Sequence, residues 1–297
     1  GSHDRCVRVY ETKGWTESGA SRSFDHAPLC LAAFPGGRRV APGARDVDHL
    51  IVGDDGGALH LLDVIDLTDG EKAEVGGTAS VKIQRRWRKK IHDGWVHALA
   101  RCDAGDAPGT PGFVASGGAD CCLRLTDLAT GSCFKTFGPN AQTSNPHVKA
   151  IHAVAFCAST RCVFTGGDDR VVRVWTPLSN GPSATLLGHD HTVCDILTVP
   201  EEHQVLTLDV SKTIRVWDVR TYRCAQTFRD AQTYHPEDRL GRLTFDAKRR
   251  QLVSGGVQPK AWALADDAVR VAVGHNHAVK VAGFSRPYRR VVTADAG

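Results

Sequence analysis

His147, Thr165 and Asp169 supply an imidazole, a hydroxyl and a carboxylate. These are the groups of a nucleophilic triad, in which the imidazole takes the hydroxyl proton and the carboxylate orients the ring. Trp175 follows closely. The set recurs in degraded form: His92, Ser116 and Asp120 lack the tryptophan, while His189, Thr207 and Trp217-Asp218 carry Ser211 where the acid is expected. A catalytic site is needed once, so recurrence along the chain points to architecture. No G-x-S-x-G, H-E-x-x-H, G-x-x-x-x-G-K or G-x-G-x-x-G run occurs. Ten cysteines are scattered without a C-x-x-C pair, and neither Asp54-Asp55 nor Asp168-Asp169 has the spacing of a calcium loop. The expectation is a chain that is not an enzyme and holds neither metal nor cofactor.

The elements that must position these groups are repeated. Asp169-Arg-Val-Val-Arg-Val-Trp175 and Ser211-Lys-Thr-Ile-Arg-Val-Trp217-Asp218 are clear copies, and Asp4–Tyr10 and Asp120–Asp127 are weaker ones. Gly56–Asp63 is degenerate and Pro259–Trp262 shortened. Each is a turn residue followed by side chains alternating with the period of a strand. Trp175, Trp217 and Trp262 lie 42 and 45 residues apart, and His147, His189, His235 and His275 lie 42, 46 and 40 apart. Gly188-His189 and Gly274-His275 each carry a Gly-His pair, and His189 leads to Trp217-Asp218. In these residues the chain resembles the WD40 family, whose repeat of about 40–45 residues makes one four-stranded blade.

The resemblance implies an all-β fold, a WD40-type β-propeller of four-stranded antiparallel blades. In the clearest unit the strands fall at 193–199, 203–208, 213–218 and 223–228. The chain begins in strands c (5–10) and d (20–24) of one unit, and ends after a (279–284) and b (290–294) of another. Five complete units lie between. Joining the ends gives six blades with a shared closing blade; seven blades is the alternative. Excess length falls into loops at 35–47, 68–80, 103–112 and 138–146, which closure entropy tolerates. Paired glycines at 36–37, 56–57, 76–77, 117–118, 166–167 and 255–256 sit at loops or strand-b exits, where glycine supplies positive φ. Gly1-Ser2-His3 reads as a tag remnant, and 4–297 as one propeller domain from a longer protein.

The resemblance also gives the triad-like groups a structural role. The indole and imidazole engage the hydroxyl, the carboxylate fixes the other ring nitrogen, and the set ties a loop to its sheet. Partners of the family dock on the face carrying the d–a and b–c loops. Register places Trp95, Asp168, Asp190, His191, Asn276 and His277 there. Innermost strands read mostly apolar, with His152 and Asp195 as isolated exceptions, which weighs against an enzyme working at the channel.

Charge adds one further candidate. The chain has 37 basic and 33 acidic residues, too mild a balance for a dedicated nucleic-acid binder. Arg85, Arg86, Arg88, Lys89 and Lys90 nevertheless concentrate on one expected outer strand around Trp87, a candidate patch for an acidic protein surface. Lys248-Arg249-Arg250 and Arg286, Arg289 and Arg290 add charge in a–b connections. The expected function is a non-catalytic protein–protein scaffold within a larger intracellular assembly, monomeric within its chain and without membrane contact. A nucleic-acid or chromatin reader is the alternative. Free thiols without a paired motif fit a reducing cytoplasm. The runs Arg250–Trp262, Arg290–Asp295 and Ile214–Thr221 resemble large WD-repeat proteins of cilia and flagella, which implies tubulin or axonemal partners.

Overall fold

The structure, a computed structural model, describes residues 5–11, 16–34, 47–66, 81–102, 112–229, 242–246, 251–255, 260–263, 281–285 and 290–294. β1 (Cys6–Glu11) and β2 (Thr16–Ser23) form a two-stranded sheet. Four complete blades follow, each ordered from its innermost to its outermost strand. They are β3 (Pro28–Phe34), β4 (Val47–Asp54), β5 (Ala58–Asp66), β6 (Val81–Lys90); then β7 (Val96–Cys102), β8 (Phe113–Gly118), β9 (Leu123–Asp127), β10 (Cys133–Phe137). The third is β11 (Ile151–Cys157), β12 (Cys162–Gly167), β13 (Val172–Trp175), β14 (Ala184–Leu186), and the fourth β15 (Val193–Val199), β16 (Gln204–Asp209), β17 (Thr213–Asp218), β18 (Arg223–Arg229). β19 (Arg242–Asp246), β20 (Gln251–Gly255) and β21 (Lys260–Ala263) form a three-stranded sheet, and β22 (Val281–Ser285) pairs with β23 (Arg290–Ala294). All pairings are antiparallel.

The innermost strands β3, β7, β11, β15 and β19 pack one against the next. The architecture is an all-β propeller of four-stranded antiparallel blades. Where five complete units were expected, four four-stranded sheets and one three-stranded sheet stand among the described residues. The terminal pairs β1–β2 and β22–β23 are separate two-stranded sheets there. The loops expected at 35–47, 68–80 and 103–112 lie almost wholly outside the described residues.

Cores form between blades rather than within them. Val172, Val174 and Leu186 of the third blade pack with Val193, Ile196, Val205 and Trp217 of the fourth. Leu123 and Leu125 meet Ile151, Val163 and Trp175 in the same way. A sheet buried on both faces must be apolar on both, and β12 and β13 are buried at every position. This packing corrects the reading of the glycines. Gly117 and Gly166 sit inside strands: a Cβ on Gly117 would lie 2.5 Å from Ile151 Cγ2, and one on Gly166 2.7 Å from Val193 Cγ1. They admit the next innermost strand, and their φ is not positive. Of the described paired glycines only Gly57, at φ 83°, needs the left-handed region.

Candidate functional site

In the third blade β12 carries Thr165, β13 carries Trp175, and the loop before β11 carries His147. Trp175 Nε1–H donates to Thr165 Oγ1 at 2.7 Å. The hydroxyl lies 2.7 Å from His147 Nε2, and His147 Nδ1 lies 2.8 Å from Asp169 Oδ2. One proton order satisfies all three contacts: indole to hydroxyl, hydroxyl to Nε2, Nδ1–H to carboxylate. Arg173 adds a 2.5 Å bond to the same carboxylate oxygen. Thr165, His147 and Trp175 are buried, so no substrate reaches the hydroxyl. Burial drives His147 below the ordinary histidine range, against the pull of Asp169. Burial also opposes ionisation of Asp169, but the bond to His147 and the charges of His147 and Arg173 outweigh it and hold the carboxyl below its usual range.

Two blades repeat the arrangement with different chemistry. In the second blade His92 spans Ser116 Oγ (2.8 Å) and Asp120 Oδ1 (2.9 Å), Arg124 pairs with Asp120, and buried Thr126 stands at the tryptophan position. In the fourth, His189 spans Thr207 Oγ1 (2.6 Å) and a carboxylate, and Trp217 donates to Thr207 at 2.8 Å. That carboxylate is Asp209, 2.9 Å from His189 Nδ1, so the expected replacement of the acid by Ser211 is corrected. Asp209 lies at the end of β16 and reaches the ring from the other side of the turn. Its Oδ1 accepts from Ser211 N, Ser211 Oγ and Thr213 N. The move leaves Arg215, the counterpart of Arg173, with a buried Nε that has no partner among the described residues. Asp218 is corrected as well: it accepts from Arg220 N at 2.8 Å and pairs with the Arg220 guanidinium, holding a turn outside the network.

The first blade has Val52 at the hydroxyl position and His60 at the arginine position. His60 Nε2 lies 2.9 Å from Asp54 Oδ2, both side chains buried, and His26 turns outward to Asp55. Asp54 occupies the place of Asp209, two residues beyond the hydroxyl position. The acid thus has two alternative seats, and a motif search anchored on one of them misses the other.

The loop-bearing face has its own repeating bond. The b–c turn donates to the d–a loop in every complete blade: Asp55 N to Ala27 O, Ala119 N to Trp95 O, Asp168 N to Ala150 O, and Val210 N to Thr192 O, at 2.9–3.1 Å. Two positions later each innermost strand has a register shift, with Leu29, His97, His152 and Cys194 as the extra residues. Trp95 is 56% exposed, and Val148 in the d–a loop before β11 and Val210 in the b–c turn after β16 are also exposed. The Trp95 ring stands 6.0 Å from His97, whose ring lies 4.5 Å from that of His152. His152 Nε2 is 3.0 Å from Asp168 Oδ2, and Thr192 donates to Asp168 Oδ1 at 3.0 Å. Trp95 and Asp168, expected on this face, therefore belong to one contiguous strip. His97 was missed by sequence reasoning; its signal is the residue after the first apolar position of an innermost strand, the place His152 holds in the next blade. Asp190 and His191 are exposed, and Asp190 lies 3.9 Å from Arg229. Asn276 and His277 lie outside the described residues.

On β6, Arg86, Arg88, Lys89 and Lys90 are exposed, while Arg85 is half-buried beside Arg22. Trp87 is turned inward and donates to Leu128 O at 3.0 Å. Among the described residues no group of three or more His, Cys, Asp or Glu is arranged to hold a metal. No helix among the described residues is long and apolar enough to cross a membrane.

Residues 138–176, the segment running from His147 through Trp175, match the family model "WD domain, G-beta repeat". The chain is 31% identical over 140 residues to a WD repeat-containing protein on Y chromosome of Drosophila grimshawi, a match covering 46% of this chain and 12% of that protein. It is 32% identical over 148 residues to the Drosophila yakuba protein of the same description, covering 46% and 13%. The chain thus spans only a small part of these relatives. Among solved structures, a chain in the crystal structure of the Mitotic Checkpoint Complex superposes with a TM-score of 0.61 at 16% identity, covering 98% of this chain and 78% of that one.

Proposed function

We propose that the chain is a WD40-repeat β-propeller and, on that premise, a non-catalytic scaffold that holds partner proteins within a larger assembly. The observation that carries this reading is the contrast between two kinds of residue. The three His–hydroxyl–carboxylate sets are closed within their blades, with their proton-transfer atoms consumed internally. Trp95, in contrast, stands exposed on a face held rigid by the repeating turn-to-loop bonds. An exposed tryptophan on a rigid support is the type of residue on which binding energy concentrates. Capture of partners from the native cell extract, wild type against Trp95→Ala and quantified by mass spectrometry, tests this. The reading predicts selective loss of bound proteins; an unchanged partner set would overturn it.

The finer reading is a cytoplasmic assembly of the ciliary or axonemal kind, in which β6 meets an acidic surface such as tubulin tails. Its support is the resemblance of three runs to ciliary WD-repeat proteins and the row of exposed cations on β6. Binding of the chain to microtubules should weaken steeply between 100 and 300 mM salt and be lost on Arg86→Glu/Arg88→Glu. Tighter binding to RNA or DNA than to microtubules would favour the nucleic-acid reading instead.

A further inference from the structure

Four residues from two neighbouring blades make a strip along the mouth formed by the loop ends of the innermost strands. Trp95 and His97 come from the second blade, His152 and Asp168 from the third, and Thr192 of the fourth closes the far end. No other complete blade among the described residues offers this. The positions equivalent to Trp95 are Ala27, Ala150 and Thr192, and those equivalent to His97 and His152 are Leu29 and Cys194. One aromatic and two imidazole rings thus run into a single carboxylate.

We propose that this strip receives a basic side chain, arginine foremost, from a partner protein. The inference rests on the docking reading above and names the chemistry of the partner at that face. Asp168 accepts a hydrogen bond from Thr192 on Oδ1, and its Oδ2 lies 3.0 Å from His152 Nε2. An ionised carboxylate has about four acceptor sites, so each oxygen retains one for the two-pronged fork of a guanidinium. The Asp168 side chain is 40% exposed, so an incoming group can reach it. Burial opposes its charge, yet the bond and charge of His152 and the bond from Thr192 outweigh this and keep it ionised below the usual range. His97 is held below the ordinary histidine range by burial and then by His152, so its ring is neutral and does not repel a cation. The His97 ring lies 4.5 Å from that of His152, the neighbour of Asp168, and 6.0 Å from that of Trp95, and a flat guanidinium stacks on such rings more effectively than an ammonium does. Lys149, on the loop before β11, is a cation whose charge Asp168 feels. It competes with the ligand, and its removal should strengthen binding.

The test uses heptapeptide libraries, randomised except for a central Arg, Lys, Gln or Glu, with binding to the 297-residue chain read by fluorescence anisotropy at low salt. The Arg library is expected to bind about tenfold more tightly than Gln, with Lys between them and Glu weakest. Asp168→Asn should erase the Arg–Gln difference, and Lys149→Ala should increase it. Arg223→Glu, on the exposed outermost strand of the fourth blade, should leave it intact. Equal retention of Arg and Gln libraries by the wild-type chain, including no retention of either, overturns the proposal without reference to any variant's folding. So does preference for Glu, or an Arg–Gln difference that survives Asp168→Asn. Extract partners that still depend on Trp95 while the libraries show no preference would sink this proposal and leave the scaffold reading standing.

Discussion

Thr165 accepts a proton from Trp175 and sits against the ring nitrogen of His147, so its hydroxyl joins two side chains that have no other buried partner on those atoms. Thr165→Val keeps the shape and strands both, at about 1–3 kcal/mol for each unsatisfied group. Trp175→Phe removes the donor together with part of a buried ring, and Thr165→Ser, the residue used at position 116, should be close to neutral. Urea unfolding of the three variants should rank them in that order. Val52 fills the same place in the first blade; there His26 has moved out to Asp55, and it is His60 Nδ1 that stays buried without a partner among the described residues. Acid should destabilise the network for two reasons of the same sign. Asp169 ionises more readily in the folded chain, so its stabilisation is complete above about pH 4 and is lost as pH falls through the lower folded value. His147 is kept neutral by burial, so below roughly pH 6.5 protons favour the unfolded chain. The melting midpoint should therefore fall steadily from pH 7 to 4, and His147→Gln should flatten the upper half of that profile.

At the scale of the strand, the decisive constraint is how closely one blade approaches the next. Gly53, Gly117 and Gly166 follow the hydroxyl position in three blades, and in each case the branched side chain opening the next innermost strand occupies the space a Cβ would need. Gly166→Ala should cost about 1–3 kcal/mol through overpacking against Val193, although alanine is the better strand residue. Its effect should appear in the unfolding midpoint and in faster amide exchange across β12 and β15. β6 shows a second constraint. An extra residue, Arg86, sits opposite the Leu61/Leu62 step, so Ile83 packs toward Val7 and Phe24 while Trp87 packs toward Val96 and Leu128. Alternation alone assigns both to one face. A bulge reverses that assignment, and nothing in the local sequence marks it.

At the scale of the whole molecule, β1–β2 and β22–β23 stand as two-stranded sheets among the described residues. We propose six blades, closed by β1–β2 and β22–β23 sharing one blade, because closure removes strand edges that otherwise pair with other chains. Deleting residues 281–297 should then unprotect the amides of Cys6–Glu11 to hydrogen exchange and promote self-association; unchanged protection of β1 would count against the shared blade. Much of this molecule is determined by sequence alone. The strand repeat follows from alternating apolar residues, the blade period from the spacing of Trp175, Trp217 and their histidines, and the His147–Thr165–Asp169–Trp175 set from residue type, because each depends on neighbours within one repeat unit. Four other features were decided by tertiary structure. These are the choice of Asp209 over Ser211, the reason for the glycines, the inward turn of Trp87, and the meeting of Trp95, His97, His152 and Asp168. Each depends on a distance across a turn or between blades, and composition and spacing along one chain do not encode which atoms of adjacent sheets arrive within bonding reach.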